Sequence, residues 1–507
     1  MPVNRSRRTY ITTTIPYVNS TPHVGFALEL VQADTLARHR RNRRHPVRLT
    51  TGTDENSLTN VLAAEAEGIS VQQLVDRNAT RFASLLEPLQ IHADDFIRTS
   101  RDPRHTIAVE KLWRACLASG DLYQDRYEGL YCVRCERFIA PEELKDGRCP
   151  DHLIPPEHVA EDNWFFRLSR YAETLANLIR TRRVHIQPVQ HEREVLAFIE
   201  GGLQDFSVSR SQERARGWGI PVPDHPDQVV YVWFDALVNY LSALDYGTDG
   251  ELFDTWWANA DSRIHVIGKN VIRFHALYWP AMLLSAGVPL PTTILVHQFL
   301  TTGGRKISKS LANAIDPHDL LLEYGPDPLR WWLLREPSPT VDTDFSPGQL
   351  VARANDELAN GFGNLVNRTV AMVHRYRGGH VPQRADRDCT LARRLAQLPL
   401  HVDDAVERFD LREAAVALLA VIDEANALIN RTRPWELAAA ERAGNEEAAA
   451  TLDQVLTVLV ATARALAQEL DAFVPGLAQR IQYHVAGDHL APAHPVFPRL
   501  PSENGPA

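Results

Sequence analysis

The feature that most constrains this chain is an alternation of strand-like and helix-like segments that stops and then starts again. "TYITTTI", from Thr9, reads as a β-branched strand, and "GFALELVQADTLARHRR", from Gly25, reads as an amphipathic helix. "PVRLTTGTD" reads as a strand running into a turn, and "SVQQLVDRNATRFASLLEPL" as another helix. Such βα alternation predicts an α/β fold with a doubly wound parallel sheet. From about 118 to 215 the rhythm breaks into short aromatic strands ("GLYC", "DNWFFRL") and three of the cysteines. From about 229 it resumes with "VVYVWFD", "RIHVIGK" and "TTILVHQF". The expectation is one Rossmann-like sheet split by an insertion domain. From about 350 to 480 the chain is rich in Ala and Leu at helical spacing, which predicts an α-helical bundle. The expected segments are 1–117 and 226–300 for the two halves of the sheet domain, 118–225 for the insertion, 301–350 for a loop and stem-contact region, 351–484 for the helical domain and 485–507 for a Pro-rich tail that wraps or frays.

Composition narrows the function classes. The chain has 507 residues, 44% hydrophobic and 23% charged, as an ordinary globular protein of several domains does. A formal net charge of −10 argues against coating nucleic acid non-specifically, although a local basic patch can still serve a nucleic-acid partner. No apolar run reads as long enough to cross a membrane, and no apolar segment follows the basic N-terminus, so cytoplasm is expected. Five cysteines are too few for a disulfide framework, and those that cluster read first as metal ligands.

Four stretches carry chemistry. In "TTTIPYVNSTPHVGF" a strand runs through a loop into a helix start that holds His23 and Gly25; unpaired amides at a helix N-terminus attract an anion such as a phosphate. "GGRKISKSLANAIDP" sets Lys306, Ser308 and Lys309 on a Gly-led loop, which suits a mobile clamp on a negatively charged leaving group. Cys132, Cys135, Cys149 and His152 follow a C-x2-C-x13-C-x2-H spacing, which suits a closed, structural zinc knuckle. Asn364 and Arg368 lie one helical turn apart, and Trp435 follows a proline; caps and core packing account for these three as well as base recognition does. The arginine cluster from Arg38 to Arg48 reads as a solvated helix end and is given no function.

His23-Val24-Gly25-Phe26 and Lys306-Ile307-Ser308-Lys309-Ser310 together resemble the HIGH and KMSKS signatures of class I aminoacyl-tRNA synthetases. "IPYVNSTPHVG", "TGTDE", "YEGLYCVRCERF", "VVYVWFDALVNYLSALDY", "HVIGKNVIRFHALYWPAML" and "NRTRPWEL" narrow the resemblance to the methionyl-tRNA synthetases, over about 10 to 480. The resemblance implies a methionine–tRNA ligase, which uses ATP with Mg2+ to make methionyl-adenylate from L-methionine and passes the methionyl group to tRNA(Met). It implies catalytic roles for His23, Lys306 and Lys309, with Gly25, Phe26 and Ser308 beside them at ATP. It implies a methionine site of Ile15, Tyr17, Asp54, Trp233, Ala236, Leu237, Tyr240, Asn270, Val271 and His275, with Arg210 in support. Asp54 is expected to hold the substrate ammonium, and Tyr240 and the Ile15 amide to donate to its sulfur. Asn364, Arg368 and Trp435 are expected to read the anticodon, and the structural Zn2+ knuckle to hold the insertion over the acceptor end. A monomer is expected.

Several residues depart from the family pattern. Phe26 replaces the second histidine of the first signature, "DENS" at Asp54–Ser57 replaces Asp-x-His-Gly, and Asn270 replaces an aspartate. Asn56 and Ser57 are therefore expected near the nucleotide with altered hydrogen bonding. The departures fit an active enzyme with compensating contacts or a specialised second copy less sensitive to an adenylate mimic. They equally fit a weakened relative that adenylates an amino acid for another acceptor or binds tRNA without catalysis.

Overall fold

The computed structural model describes residues 7–132, 137–150, 153–307, 314–383 and 389–501. The chain divides into two compact units, one of Met1–Ala33, Arg44–Leu86 and His92–His297, the other of Asp34–Arg43, Glu87–Ile91 and Gln298–Ala507.

The first unit opens with β1 (Thr9–Thr13), α1 (Val24–Asn42, whose second half belongs to the other unit), β2 (Val47–Thr53), α2 (Leu58–Glu67), α3 (Val71–Ala83), β3 (Asp95–Arg98) and α4 (Pro103–Ala118). The insertion supplies β4 (Leu122–Cys132), β5 (Arg137–Ile139), β6 (Glu157–Phe166), α5 (Ala172–Arg180), β7 (His185–Gln187), α6 (Val189–Glu200), β8 (Phe206–Ser207), β9 (Ser209–Ser211), β10 (Pro221–Val222) and β11 (His225–Val230). Then come α7 (Val232–Ser242), α8 (Glu251–Phe253), β12 (Ser262–Gly268), α9 (Trp279–Ser285) and β13 (Thr293–His297).

The main sheet has the order β3-β2-β1-β12-β13-β7 and is parallel throughout. β1, "TYITT", is buried along its whole length, as expected of a central strand covered on both faces. Helix starts are written locally: Ser57 caps α2, Ser70 and Gln73 form a capping box on α3, and Asp102 with Pro103 opens α4. Above the sheet, Tyr10, Trp113, Phe234, Trp257 and Trp279 join one apolar core.

Three readings need correction here. β7 lies inside the insertion yet pairs in parallel with β13, so the insertion lends a strand to the main sheet. "VVYVWFD" is not a strand of that sheet. Its first residues end β11, which is antiparallel to β9 and β10, and Val232 begins α7. The first helix is also not amphipathic, because from Phe26 to Ala37 only Gln32 escapes burial.

The second unit holds β14 (Leu300–Thr302), β15 (Arg305–Lys306), α10 (Pro317–Tyr324), α11 (Pro326–Arg335) and β16 (Thr343–Asp344), then α12 (Pro347–Arg353), α13 (Asn364–Arg377), α14 (Thr390–Glu407), α15 (Leu411–Thr432), α16 (Pro434–Arg442), α17 (Glu446–Leu470) and α18 (Pro475–Val485). Gly303 and Gly304, at φ +57° and +71°, make the left-handed turn from β14 to β15, and the Asp344 carboxylate accepts from the Gly304 N–H at 2.9 Å. Among the described residues α17 alone passes a length and composition test for a membrane span, and Leu452, Leu456, Leu459, Ala463 and Leu466 on it are buried in the helical bundle. The arginine cluster is only partly solvated: Arg44 is exposed and Arg40 is buried. Arg40 pairs with Glu407 at 3.0 Å, and Arg43 with Asp403 at 2.7 Å and Glu469 at 2.8 Å. The tail wraps: Leu490, Val496 and Phe497 are buried.

Candidate active site

β1 lies between β2, which leads outward to β3, and β12, which leads outward to β13 and β7. The connections therefore diverge at β1/β12, and a crevice opens at the carboxyl ends of the strands, where such sheets bind ligands. Ile15 and Tyr17 follow β1, Asp54 follows β2, and Asn270, Val271 and His275 follow β12, so the sequence-predicted residues arrive there from three strands. Trp233, Ala236, Leu237 and Tyr240 come from α7.

The α7 side is a built wall. Trp233 stacks flat on Phe274 at 3.6 Å between ring centroids and tilts against Tyr17 at 6.3 Å. Tyr240 and His275 are buried. His275 Nδ1 lies 2.9 Å from the Val271 carbonyl, so that nitrogen carries the hydrogen; burial pushes the imidazole pKa down to about 4 and keeps it neutral. Its bare Nε2 accepts from the Tyr240 hydroxyl at 2.7 Å. The hydrogen of Tyr240 is thus committed to His275, which corrects the expectation that it donates to the substrate sulfur. Behind this pair the Trp279 indole donates to His265 Nε2 at 3.1 Å, and His265 Nδ1 donates to Thr12 Oγ1 at 2.6 Å. Burial holds His265 neutral as well and raises the Tyr240 pKa well above the ordinary phenol value.

Asp54 sits at the end of β2 with its N–H donating to the Pro16 carbonyl at 2.9 Å, and it is 2% exposed. The turn that carries it is braced from several directions. Asn60 Nδ2 donates to the carbonyls of Asp54 and Glu55 at 3.1 and 3.0 Å, Arg98 clamps the Glu55 carboxylate, and the Trp218 indole donates to the Glu55 carbonyl at 2.7 Å. Burial of this kind is tolerable for a carboxylate that meets a cation.

The α1 side is built differently. His23 Nδ1 accepts from the Gly25 N–H at 3.1 Å, and a β-carbon at Gly25 would lie 2.8 Å from the imidazole Cε1. Only glycine lets the ring fold over the helix start. The first turn of α1 carries no acidic side chain, so its positive end is not neutralised there. One turn on, buried Glu29 accepts from the Thr14 N–H at 2.6 Å, from the Thr14 hydroxyl, and from His297 Nε2 at 3.0 Å. His297 and the Asn270 amide both overhang Gly268, at 3.5 and 2.9 Å from where its β-carbon would be. Sequence reasoning missed Glu29 and His297. The signals were a lone acid in the apolar run "FALELV" and a histidine at the carboxyl end of a sheet strand.

The departures have specific placements. Phe26 is 7% exposed and sets its edge on Phe82 of α3, with centroids 5.1 Å apart. Ser57 is the cap of α2 and is fully buried, and Asn56 Nδ2 donates to Asp235 Oδ2 on α7 at 2.8 Å. Asn270 alone is exposed in the cleft. Arg210 is buried, donates from Nη1 to Ser207 Oγ and the Ser209 carbonyl at 2.8 and 2.6 Å, and lies over the rings of Tyr231 and Tyr131 at 4.2 and 5.2 Å.

Of the remaining candidates, the Lys306 side chain, Ser308, Lys309, Cys135 and His152 lie outside the described residues. Cys132 and Cys149 are both fully buried in one small cluster with Ile139. In the second unit Asn364 is exposed at the start of α13, and Arg368 Nη1 reaches Asn426 of α15 at 3.4 Å. Trp435, just past α15, is 47% exposed.

The family described as "tRNA synthetases class I (M)" matches residues 9–154 and 141–370. The chain belongs to this family of methionyl-tRNA synthetases. It is 40% identical to the methionine–tRNA ligase of Thermotoga maritima over 450 residues, covering 87% of this chain and 70% of that protein. It is 37% identical to the methionine–tRNA ligase of Brucella suis over 516 residues, 97% of each. Its structure resembles that of Mycobacterium tuberculosis methionyl-tRNA synthetase in complex with methionyl-adenylate, with a TM-score of 0.91, 38% identity, and coverage of 97% of this chain and 100% of that one.

Proposed function

We propose that the chain is a methionine–tRNA ligase that forms methionyl-adenylate from L-methionine and ATP and transfers the methionyl group to tRNA(Met). The observation that carries this reading is the meeting, at the β1/β12 crevice, of a buried carboxylate, a neutral aromatic wall and an open helix N-terminus. Asp54 binds the substrate ammonium. The wall of Trp233, Ala236, Leu237, Tyr240, Val271 and His275 takes the thioether, with Ile15 and Tyr17 closing it and the Ile15 amide facing the sulfur. The methionine carboxylate attacks the α-phosphorus of ATP, and pyrophosphate leaves with its Mg2+. His23, Gly25 and the first amides of α1 hold the phosphates, with Ser308 beside them, and Lys306 and Lys309 neutralise the charge on the leaving group. Asn270, beside His297, fixes the amino end together with Asp54, and Arg210 supports that corner. The terminal hydroxyl of the tRNA then attacks the adenylate carbonyl and releases AMP. No side chain is covalently modified; positioning and charge supply the rate.

Asn364, Arg368 and Trp435 read the anticodon by hydrogen bonding and stacking. The two buried thiols, Cys132 and Cys149, fit a zinc knuckle completed by Cys135 and His152, which when loaded supplies structural cross-linking only. Methionine-dependent ATP–pyrophosphate exchange, followed by charging of tRNA(Met), tests the reading. Exchange without charging would instead support an adenylating enzyme with another acceptor. Trp435→Ala is expected to weaken tRNA binding by about 1–3 kcal/mol while exchange stays unchanged.

A further inference from the structure

Asn56 stands two residues beyond Asp54, and its side chain spans to the opposite wall. Its Nδ2 lies 2.8 Å from Asp235 Oδ2 and 3.4 Å from the Thr99 carbonyl. Asp235 sits on α7 between Trp233 and Ala236, and it is fully buried. Its other oxygen, Oδ1, meets Nε2 of His105 on α4, also fully buried. His105 Nδ1 lies 2.9 Å from Ser242 Oγ, and the hydrogen of Ser242 is spent on the Val238 carbonyl at 2.9 Å. The Ser242 oxygen therefore accepts from His105 Nδ1–H. Asp235 is held by the His105 ring behind and the Asn56 carboxamide in front. A fully buried carboxyl group keeps such partners at fixed distance, because a lost partner leaves a buried polar atom unsatisfied.

We propose that the Asn56–Asp235 hydrogen bond is a ruler for side-chain length. One end is fixed to the turn that carries the ammonium-binding Asp54, the other to the helix that lines the thioether pocket. Its length sets the separation between the amino end and the far wall. Asn56 is thus a positioning residue that acts through Asp54 and α7. The inference rests on the methionine reading given above. Asparagine meets the need of Asp235 for a donor, as the histidine expected at this position in the family could through a ring N–H.

The test is ATP–pyrophosphate exchange with L-methionine, L-ethionine (one carbon longer) and S-methyl-L-cysteine (one carbon shorter), using the full chain. The wild type is expected to favour methionine over either analogue by a factor in the range of about 10–200, the worth of one methylene in an apolar pocket. Asn56→Ala is expected to reduce that preference about tenfold, through KM for the amino acid, with kcat for methionine changed about twofold or less. Asn56→Asp, which is isosteric but cannot donate in its ionised form, is expected to reduce it likewise, and it serves should the alanine variant fail to fold. Asn56→His is expected to bring the preference back toward the wild-type value. Equal losses on all three amino acids, with the preference intact, would overturn the ruler and leave Asn56 a merely structural brace. A wild-type chain without methionine-dependent exchange would instead overturn the ligase reading itself, so the two failures are distinguishable.

Discussion

The α7 wall of the crevice and its α1 wall both face the same space, yet they are made of different material. On the α7 side, Tyr240, His275, Val271, His265, Trp279 and Thr12 pass hydrogen bonds among themselves, and burial keeps both imidazoles neutral. On the α1 side the working surface is backbone, with one imidazole folded over Gly25 and no acid in the first helical turn. The first is a shape, fixed before any substrate arrives. The second is a field, whose strength depends on the charge placed in it. A mutation in the shape is expected to change which side chain fits, and a mutation in the field to change how fast the phosphate reacts.

The largest effect is expected where the two meet. Asp54→Asn removes the charge that binds the substrate ammonium and should lower kcat/KM for methionine about 10³-fold, corresponding to the loss of one partner of a buried ion pair, as measured by pyrophosphate exchange. His23→Ala tests the field alone and should lower kcat about 10²-fold or more, with KM for methionine little changed. A large rise in that KM would break the division of labour.

The shape has its own signature in pH. The pKa of His275 in the folded protein, about 4, lies below its ordinary value of 6.5, so the unfolded chain binds the proton first. Its contribution to stability is present above about 6.5 and is lost as pH falls toward 4, by an amount on the order of 3 kcal/mol. Denaturant titrations across that range should show the decline, and a His275→Gln variant should show less of it. The smallest effect is expected at Phe26. Because its ring packs on Phe82, Phe26→His should change kcat/KM by less than about tenfold while lowering the melting temperature, since it buries a polar ring there. A gain of 10²-fold would return the position to the ATP-contacting surface.

How much could be read in advance follows from what each signal measures. β1, β2, β12 and β13 were legible because parallel strands covered on both faces are written as β-branched runs. β7 was not, because three residues, "HIQ", carry no periodicity. "VVYVWFD" misled because a buried strand end and a buried helix start share the same apolar composition, and the switch at Tyr231 is set by tertiary packing. In the crevice, the motif residues of the first unit arrived from the strands expected. Asn56 turned to Asp235 and Ser57 to the start of α2, because motif spacing gives neighbourhood and not direction: a short polar side chain beside a helix start can cap it, and one beside a buried carboxyl group turns to it.

The sixth strand has a consequence for engineering. Since β7 is zipped onto β13 by its backbone, the insertion is not a removable appendage. Excising residues 118–225 would strip the outer strand from the sheet and leave β13 as an unprotected edge, open to pairing with another chain. A chimera that exchanges insertions between relatives must carry His185–Gln187, or a strand of matching register, along with the graft.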